Sequence, residues 1–397
     1  MAGPLEGIRV LDLTRVLAGP FSTMTLGDLG AEIIKIENPD GGDDTRQWGP
    51  PFIGGESAYF LSLNRNKKSA TLNLKTAEGR EILYELAEKC DVLIENFRPG
   101  VTEKLQVDYP TIAKKNPKLI YCSITSFGPT GSYADLPAYD LVIQGMGGLM
   151  GITGEPGRPP IRVGVAISDI GGSMYATIAI LAAIIARERT SKGQLIDISL
   201  LDSTASWTTY MAGYYFATGR NPAKMGSAHP TIVPYQCFET KDGAFITIAI
   251  GNDKLFTQFC ETIGLNELAF DDKFATSSQR VVNREKLIPI LEQRFKQRTR
   301  EEWLRALADA KLPAGPVYSM RELFSDQQLL LRQMLVNVAH PTAGDLKQIG
   351  IPMKFSDTTP QIREAPPMLG QQTDEVLRNI LHYDTKRITQ LHERGIV

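Results

Sequence analysis

Residues 7–37 read GIRVLDLTRVLAGPFSTMTLGDLGAEIIKIE, and this stretch decides the fold. Two runs of apolar and β-branched residues, Ile8–Leu13 and Glu32–Glu37, enclose a segment that opens on Ala18-Gly19-Pro20, with Pro at a plausible first helical position. Strand, helix, strand predicts a parallel pair joined by a crossover. Working outward, further strands are expected at Ser69–Leu74, Asp91–Glu95, Leu119–Ile124 and Leu195–Ser199. Between the third and fourth, Thr76–Lys89 places Ile82, Leu83, Leu86 and Ala87 on one helical face. The expectation is α/β: a Rossmann-like, doubly wound large domain.

The texture changes near residue 223. Val233–Thr240 and Ala244–Ile250 flank a Lys241-Asp242-Gly243 turn and read as a hairpin, followed by helical patterns at Asp253–Ile263 and Arg284–Phe295. Lys311–Val317, rich in Pro and Gly, reads as the far boundary of this smaller α+β domain. The tail returns to a helix after Gln372, with Val376, Leu377, Ile380 and Leu381 on one face. The predicted organisation is 1–200 for the first part of the large domain, 201–222 as a linker, 223–320 for the inserted small domain, and 321–397 for the return. No internal repeat or low-complexity tract is visible.

Composition narrows the function. In 397 residues, 43 Lys and Arg against 45 Asp and Glu give a net charge of -2, which offers no electrostatic reason for a nucleic-acid or membrane partner. Four dispersed cysteines and four dispersed histidines suggest neither a disulfide framework nor a zinc site. The N-terminus carries no recognisable address, and the most apolar run, Met174–Ala186, is too short for a bilayer and is expected to be a buried helix. A cytoplasmic protein is expected.

No G-x-G-x-x-G follows the first strand, and neither a P-loop nor a nucleophile elbow occurs. What stands out is Asp169, the only charged residue among the 23 from Gly164 to Ala186. Two readings are open: a helix N-cap, or a nucleophile or base held at a helix N-terminus, with Gly171 and Gly172 admitting a substrate to the backbone. Ala18-Gly19-Pro20 is either an anion-receiving helix start or an ordinary turn. Asn96-Phe-Arg-Pro-Gly100 follows strand four where open α/β sheets bind ligands, so Arg98 is placed to meet a phosphate and Phe97 to stack on a base, unless the segment is a simple helix entry. Lys67, Lys68 and Lys75 bracket strand three and read equally well as solvated rim lysines.

Taken together, GIRVLDLTRVLAGPF, AEIIKIENP, GGDDTRQWGPP, NRNKKSATLNLKT, DVLIENFRPG, PAYDLVIQGMGGLMGITGE, RVGVAISDIGG, GSAHPTIVPYQ and APPMLGQQTDEVL resemble the class III coenzyme A transferases across essentially the whole chain. GSAHPTIVPYQ and NRNKKS are most similar to the succinyl-CoA:dicarboxylate type, including the glutarate and hydroxymethylglutarate enzymes. The resemblance implies two interlocked rings forming an intertwined homodimer, with the catalytic Asp at Asp169. It implies coenzyme A contacts at Val16, Leu17, Ala18, Leu72, Lys75, Asn96, Phe97, Arg98, Lys104 and Tyr139. Two positions depart from the formyl-CoA type: Asn38 stands for an Arg, and Pro137 for a Lys. The glycine-rich flap is reduced to Ala249-Ile-Gly251-Asn252.

The implied chemistry is transfer of CoA from an acyl-CoA to a free carboxylic acid through an aspartyl anhydride and an aspartyl-CoA thioester, with CoA as substrate and no metal or redox cofactor. Backbone N–H groups near Gly171 are the expected oxyanion donors, and a loop near Gly251 is expected to exclude solvent. Arg65 is a candidate for the distal carboxylate of a dicarboxylate, against the plainer reading of a surface Arg in a basic turn. The competing enzyme is a 2-methylacyl-CoA racemase, which would need a His before Asp140, where this chain has Tyr139, and no His precedes residue 229. The non-catalytic alternative is an acyl-CoA-binding scaffold.

Overall fold

The computed structural model describes residues 3–397. Six strands form one sheet: β1 (Arg9–Asp12), β2 (Glu32–Glu37), β3 (Lys67–Thr71), β4 (Val92–Glu95), β5 (Ile120–Thr125) and β6 (Leu195–Ser199). All neighbours are parallel, in the order β3-β2-β1-β4-β5-β6. Around them run α1 (Ala18–Asp28), α2 (Ala77–Ala87), α3 (Ile167–Thr190), α4 (Thr373–Asn379) and α5 (Thr385–Glu393).

Because successive strand residues face opposite ways, the sheet supplies two cores. Val10, Ile33, Val92, Ile94 and Ile120 pack with Leu26 of α1 and with Ala176, Ile180 and Ala183 of α3. On the other face, Leu11, Ile34, Leu93 and Tyr121 pack with Ile82, Leu83 and Leu86 of α2, Val376 and Leu377 of α4, and Ile388 and Leu391 of α5. Each fully buried aliphatic side chain contributes roughly 1.5–3 kcal/mol. The predicted helical face of α2 is therefore the buried one, and Thr76 caps it by accepting from the N–H of Gly79. Strand order reverses between β1 and β4, so the loops after these two strands open the crevice that positions the site.

Several expectations need correction. β3 begins at Lys67, which is no rim lysine: its buried Nζ donates to the Pro20 carbonyl at 3.0 Å and Asn64 Oδ1 at 2.9 Å, and lies 3.3 Å from Asp12 Oδ2. The apolar run in α3 is buried on one face only, leaving Met174, Ile178 and Ile185 at 51%, 58% and 58% exposure. Residues 201–222, expected as a linker, are mostly helical, in Leu200–Ser206 and Thr209–Thr218.

The chain divides into two compact units. One comprises the described residues to Leu149, Arg162–Ala212 and Gln327–Val397; the other comprises Met150–Ile161 and Gly213–Asp326. In the second, β7 (Tyr235–Glu239) and β8 (Phe245–Ala249) form the expected hairpin, with Glu239 opposite Phe245. Lys311–Val317, read as a boundary, contains a third strand, β9 (Ala314–Pro316), that pairs antiparallel with β8. Phe238, Ile246, Phe259, Leu291, Phe295 and Trp303 make that unit's own core. The first unit also contains a hairpin of β10 (Leu335–His340) and β11 (Gly344–Ile349), which carried no sequence signal strong enough to be expected.

Candidate active site

At the end of β1 the chain turns through Thr14-Arg15-Val16-Leu17 into α1, whose N-cap residue, Leu17, provides no side-chain cap. The first amides of α1 therefore lack helical partners. At the end of β4, Asn96-Phe97-Arg98 runs alongside. Asn96 Oδ1 accepts from Arg15 N at 2.9 Å and its Nδ2 donates to the Arg15 carbonyl at 2.8 Å, which ties the two loops together. Asn96 is thereby engaged with backbone, a use the expected CoA contact did not anticipate.

Two cavities open here. One, of about 340 Å³, is lined by Val16, Leu17, Ala18, Asn96, Phe97, Arg98, Pro137, Tyr139 and Asp169. The other, of about 790 Å³, is lined by Asn38, Trp48, Leu72, Lys75, Phe97 and Tyr139 among others. Arg15, Asp44, Phe97 and Tyr139 line both. Nine of the ten expected CoA contacts thus converge on two adjoining spaces. The tenth, Lys104, is exposed on the short helix Val101–Leu105 and lines neither, while its neighbours Val101 and Leu105 line the larger. Arg15 was missed: its guanidinium lies 5.5 Å from the Phe97 ring centre and 3.3 Å from Asp44, but a lone Arg in a turn gives no signal in sequence.

Asp169 is the third residue of α3, not its N-cap; that place belongs to Ala166. The capping is done from elsewhere. Asp140, on the helix Asp140–Met146, accepts from Ser168 N at 2.9 Å through Oδ1 and from Gln144 Nε2 at 2.7 Å through Oδ2. The half-buried Asp169 carboxyl is left facing the smaller cavity, and burial, then the like charge of Asp140, push its pKa up to about 7. A carboxylate so destabilised is more basic, hence a better nucleophile, than a solvated one. Tyr59 also belongs to this neighbourhood. Burial, followed by the charges of Asp169, Asp43 and Asp140, raises its pKa to about 12, and its ring packs edge-on to Trp48 at 5.2 Å. Nothing in one sequence distinguishes this Tyr from the other twelve.

Three expected substrate residues fare differently. Gly171 lies inside α3, where its N–H is committed to the helix, and a Cβ there would meet the Trp207 indole at 2.5 Å. Gly172 likewise makes room for Leu200, at 2.3 Å. These glycines serve helix packing and supply no oxyanion donor. Arg65 is 3% exposed, with Nε donating to Asp28 Oδ1 at 3.0 Å, Nη2 to Asp28 Oδ2 at 2.7 Å and Nη1 to the Ile349 carbonyl, and it lines neither cavity. Gly251 is exposed in the second unit, just after β8. Among the described residues, no cluster of three or more His, Cys, Asp or Glu is arranged to hold a metal.

The Asp140 charge has a measurable consequence. Asn at position 140 can still accept from Ser168 N but no longer opposes ionisation of Asp169. In Asp140→Asn the acid limb of kcat/KM, expected near pH 7 in the parent, should therefore move to lower pH. An unmoved limb would show that Asp140 does not set the titration.

The CoA-transferase family III model matches residues 5–373. Succinyl-CoA:glutarate CoA-transferase from Homo sapiens is 43% identical over 394 residues, covering 99% of this chain and 90% of that protein. Acetyl-CoA:oxalate CoA-transferase from Acetobacter aceti is 42% identical, covering 93% and 94%. A CAIB/BAIF family protein from Brucella suis superposes with a TM-score of 0.86 at 43% identity, over 96% of this chain and all of that one. With matches of that extent in sequence and fold, the chain belongs to CoA-transferase family III.

Proposed function

We propose that this enzyme moves CoA from succinyl-CoA to glutarate through a covalent intermediate on Asp169. The observation that carries the proposal is geometric: Asp169, which caps no helix, lines the same cavity as Leu17 and Ala18 at the start of α1, and its raised pKa adds to that placement. An Asp169 oxygen attacks the succinyl carbonyl, the C–S bond breaks, and CoA leaves as thiolate. That thiolate attacks the aspartyl carbonyl of the mixed anhydride, which releases succinate and leaves an aspartyl-CoA thioester. Glutarate attacks next and expels CoA again, and the thiolate takes the glutaryl group while Asp169 departs as carboxylate. Each step conserves acyl-transfer potential, so water is the competitor to exclude. With Gly171 unavailable, the N–H groups of Leu17 and Ala18 are the donors proposed for the oxyanion.

Arg15, Lys75 and Arg98 supply positive charge around the two cavities, in place of the basic residues missing at Asn38 and Pro137. A second copy of the chain is proposed to cover the exposed apolar face of α3, Met174, Ile178 and Ile185, as an intertwined homodimer. The racemase reading loses support because no histidine lines either cavity among the described residues.

The choice of acids rests on the GSAHPTIVPYQ and NRNKKS segments and on the similarity to a succinyl-CoA:glutarate CoA-transferase. Product formation from succinyl-CoA with glutarate, oxalate and monocarboxylates in parallel tests it. Glutaryl-CoA should dominate; preferred oxalyl or monoacyl transfer would overturn the substrate assignment while leaving the mechanism standing.

A further inference from the structure

Val16 has a φ of 68°, in the left-handed region that a β-branched side chain strongly disfavours. Such a backbone persists only where its surroundings hold it. Here the holding groups can be named. The Lys35 Nζ, from β2, donates to the Thr14 carbonyl at 2.6 Å. The same ammonium pairs with Asp43 at 2.9 Å, both side chains being fully buried. Asp43 Oδ1 in turn accepts from Val16 N at 3.3 Å and from Thr45 N at 3.0 Å. From the opposite side Asn96 grips both the N–H and the carbonyl of Arg15. Three successive residues thus each have a backbone group tied to a side chain from another part of the sheet's edge.

We infer that Lys35, Asp43 and Asn96 are positioning residues: they hold Val16 left-handed so that the Val16–Ala18 backbone forms a fixed wall of the cavity that contains Asp169. This inference rests on the reading of Asp169 as the nucleophile. The proposed steps otherwise leave Lys35 and Asp43 without a task. A fixed cavity wall matters because a shift of about 1 Å in a catalytic group can cost on the order of 100-fold in rate.

Glycine adopts positive φ without steric cost, so it relieves the penalty that the clamp has to overcome at Val16. The test is a double-mutant cycle. Asn96→Ala and Asp43→Asn are each assayed in the parent and in a Val16→Gly background, with kcat and the KM for acyl-CoA measured separately. In the parent background each should lower kcat by roughly 10- to 100-fold, with a much smaller change in KM. In the Val16→Gly background the same substitutions should cost less than about threefold. Asn96→Ala leaves no buried charge unpaired, so it decides the matter even if Asp43→Asn folds poorly. Equal losses in both backgrounds, or a rise in KM alone, would overturn the clamp and make these residues direct substrate contacts or general supports. Each variant and the parent are also treated with succinyl-CoA and examined for a covalent adduct at Asp169. A parent without adduct defeats the nucleophile reading itself; a parent with adduct but no rescue by Val16→Gly defeats the clamp alone.

Discussion

Asp169→Ala should lower CoA transfer by about 10⁴-fold or more while the chain stays folded. The size follows from the role: without the carboxylate no anhydride forms, and what is left is direct attack of the acceptor acid on the thioester. Retention of the fold follows from the surroundings. The N-terminus of α3 is held by Asp140, and none of the described side-chain hydrogen bonds uses the Asp169 carboxylate. Removing it should even help. An acid whose pKa rises from 3.8 to about 7 on folding binds its proton more tightly in the native state, so ionising it opposes folding. That opposition is absent below about pH 4, grows between the two pKa values and is complete above about 7. Asp169→Asn should therefore be more stable than the parent by about 1–3 kcal/mol at pH 8, and the gain should fade as the pH drops toward 4. Urea denaturation across that range, beside turnover, checks both halves. Turnover near the parental rate would remove Asp169 from the mechanism.

Arg65→Ala should have the largest effect on stability, a loss of about 3–5 kcal/mol, because it strands a buried carboxylate. Asp28 is 3% exposed and receives two hydrogen bonds from Arg65 and one, at 2.7 Å, from Asn66 Nδ2. Through Nη1 the same guanidinium also anchors β11 at Ile349. Denaturation midpoints should fall sharply, yet the ratio of activities on dicarboxylate and monocarboxylate acceptors, measured on the folded fraction, should be unchanged. A selective loss of dicarboxylate transfer with normal stability would restore Arg65 as a reader of the distal acid.

The contrast between Asp169 and Arg65 shows what a single sequence makes legible. Asp169 was visible because a lone charge in an apolar run is costly unless used. The strands were visible because β1, β2 and β4 are buried on both faces and so carry clustered Val, Leu and Ile, although the buried Asp12, Lys35, Glu37 and Glu95 interrupt the apolar pattern. Arg65 and Lys67 were misread because their partners, Asp28 and Asp12, lie 37 and 55 residues away, and no local pattern announces a buried ion pair. Gly171 and Gly172 looked like substrate access because the bulk they accommodate, Trp207 and Leu200, arrives from a later helix and the turn after it. The half-exposed face of α3 carries the same lesson in reverse: apolar residues signal burial, but not whether this chain does the burying.

The central claim is a covalent bond to Asp169, and it can be seen directly. Enzyme incubated with succinyl-CoA and then with hydroxylamine, digested and analysed by mass spectrometry, should carry a hydroxamate on the Asp169 side chain and on no other acidic residue, and omission of succinyl-CoA should abolish it. An unmodified Asp169 peptide from enzyme that is turning over, or a hydroxamate on a different carboxylate, would contradict the account.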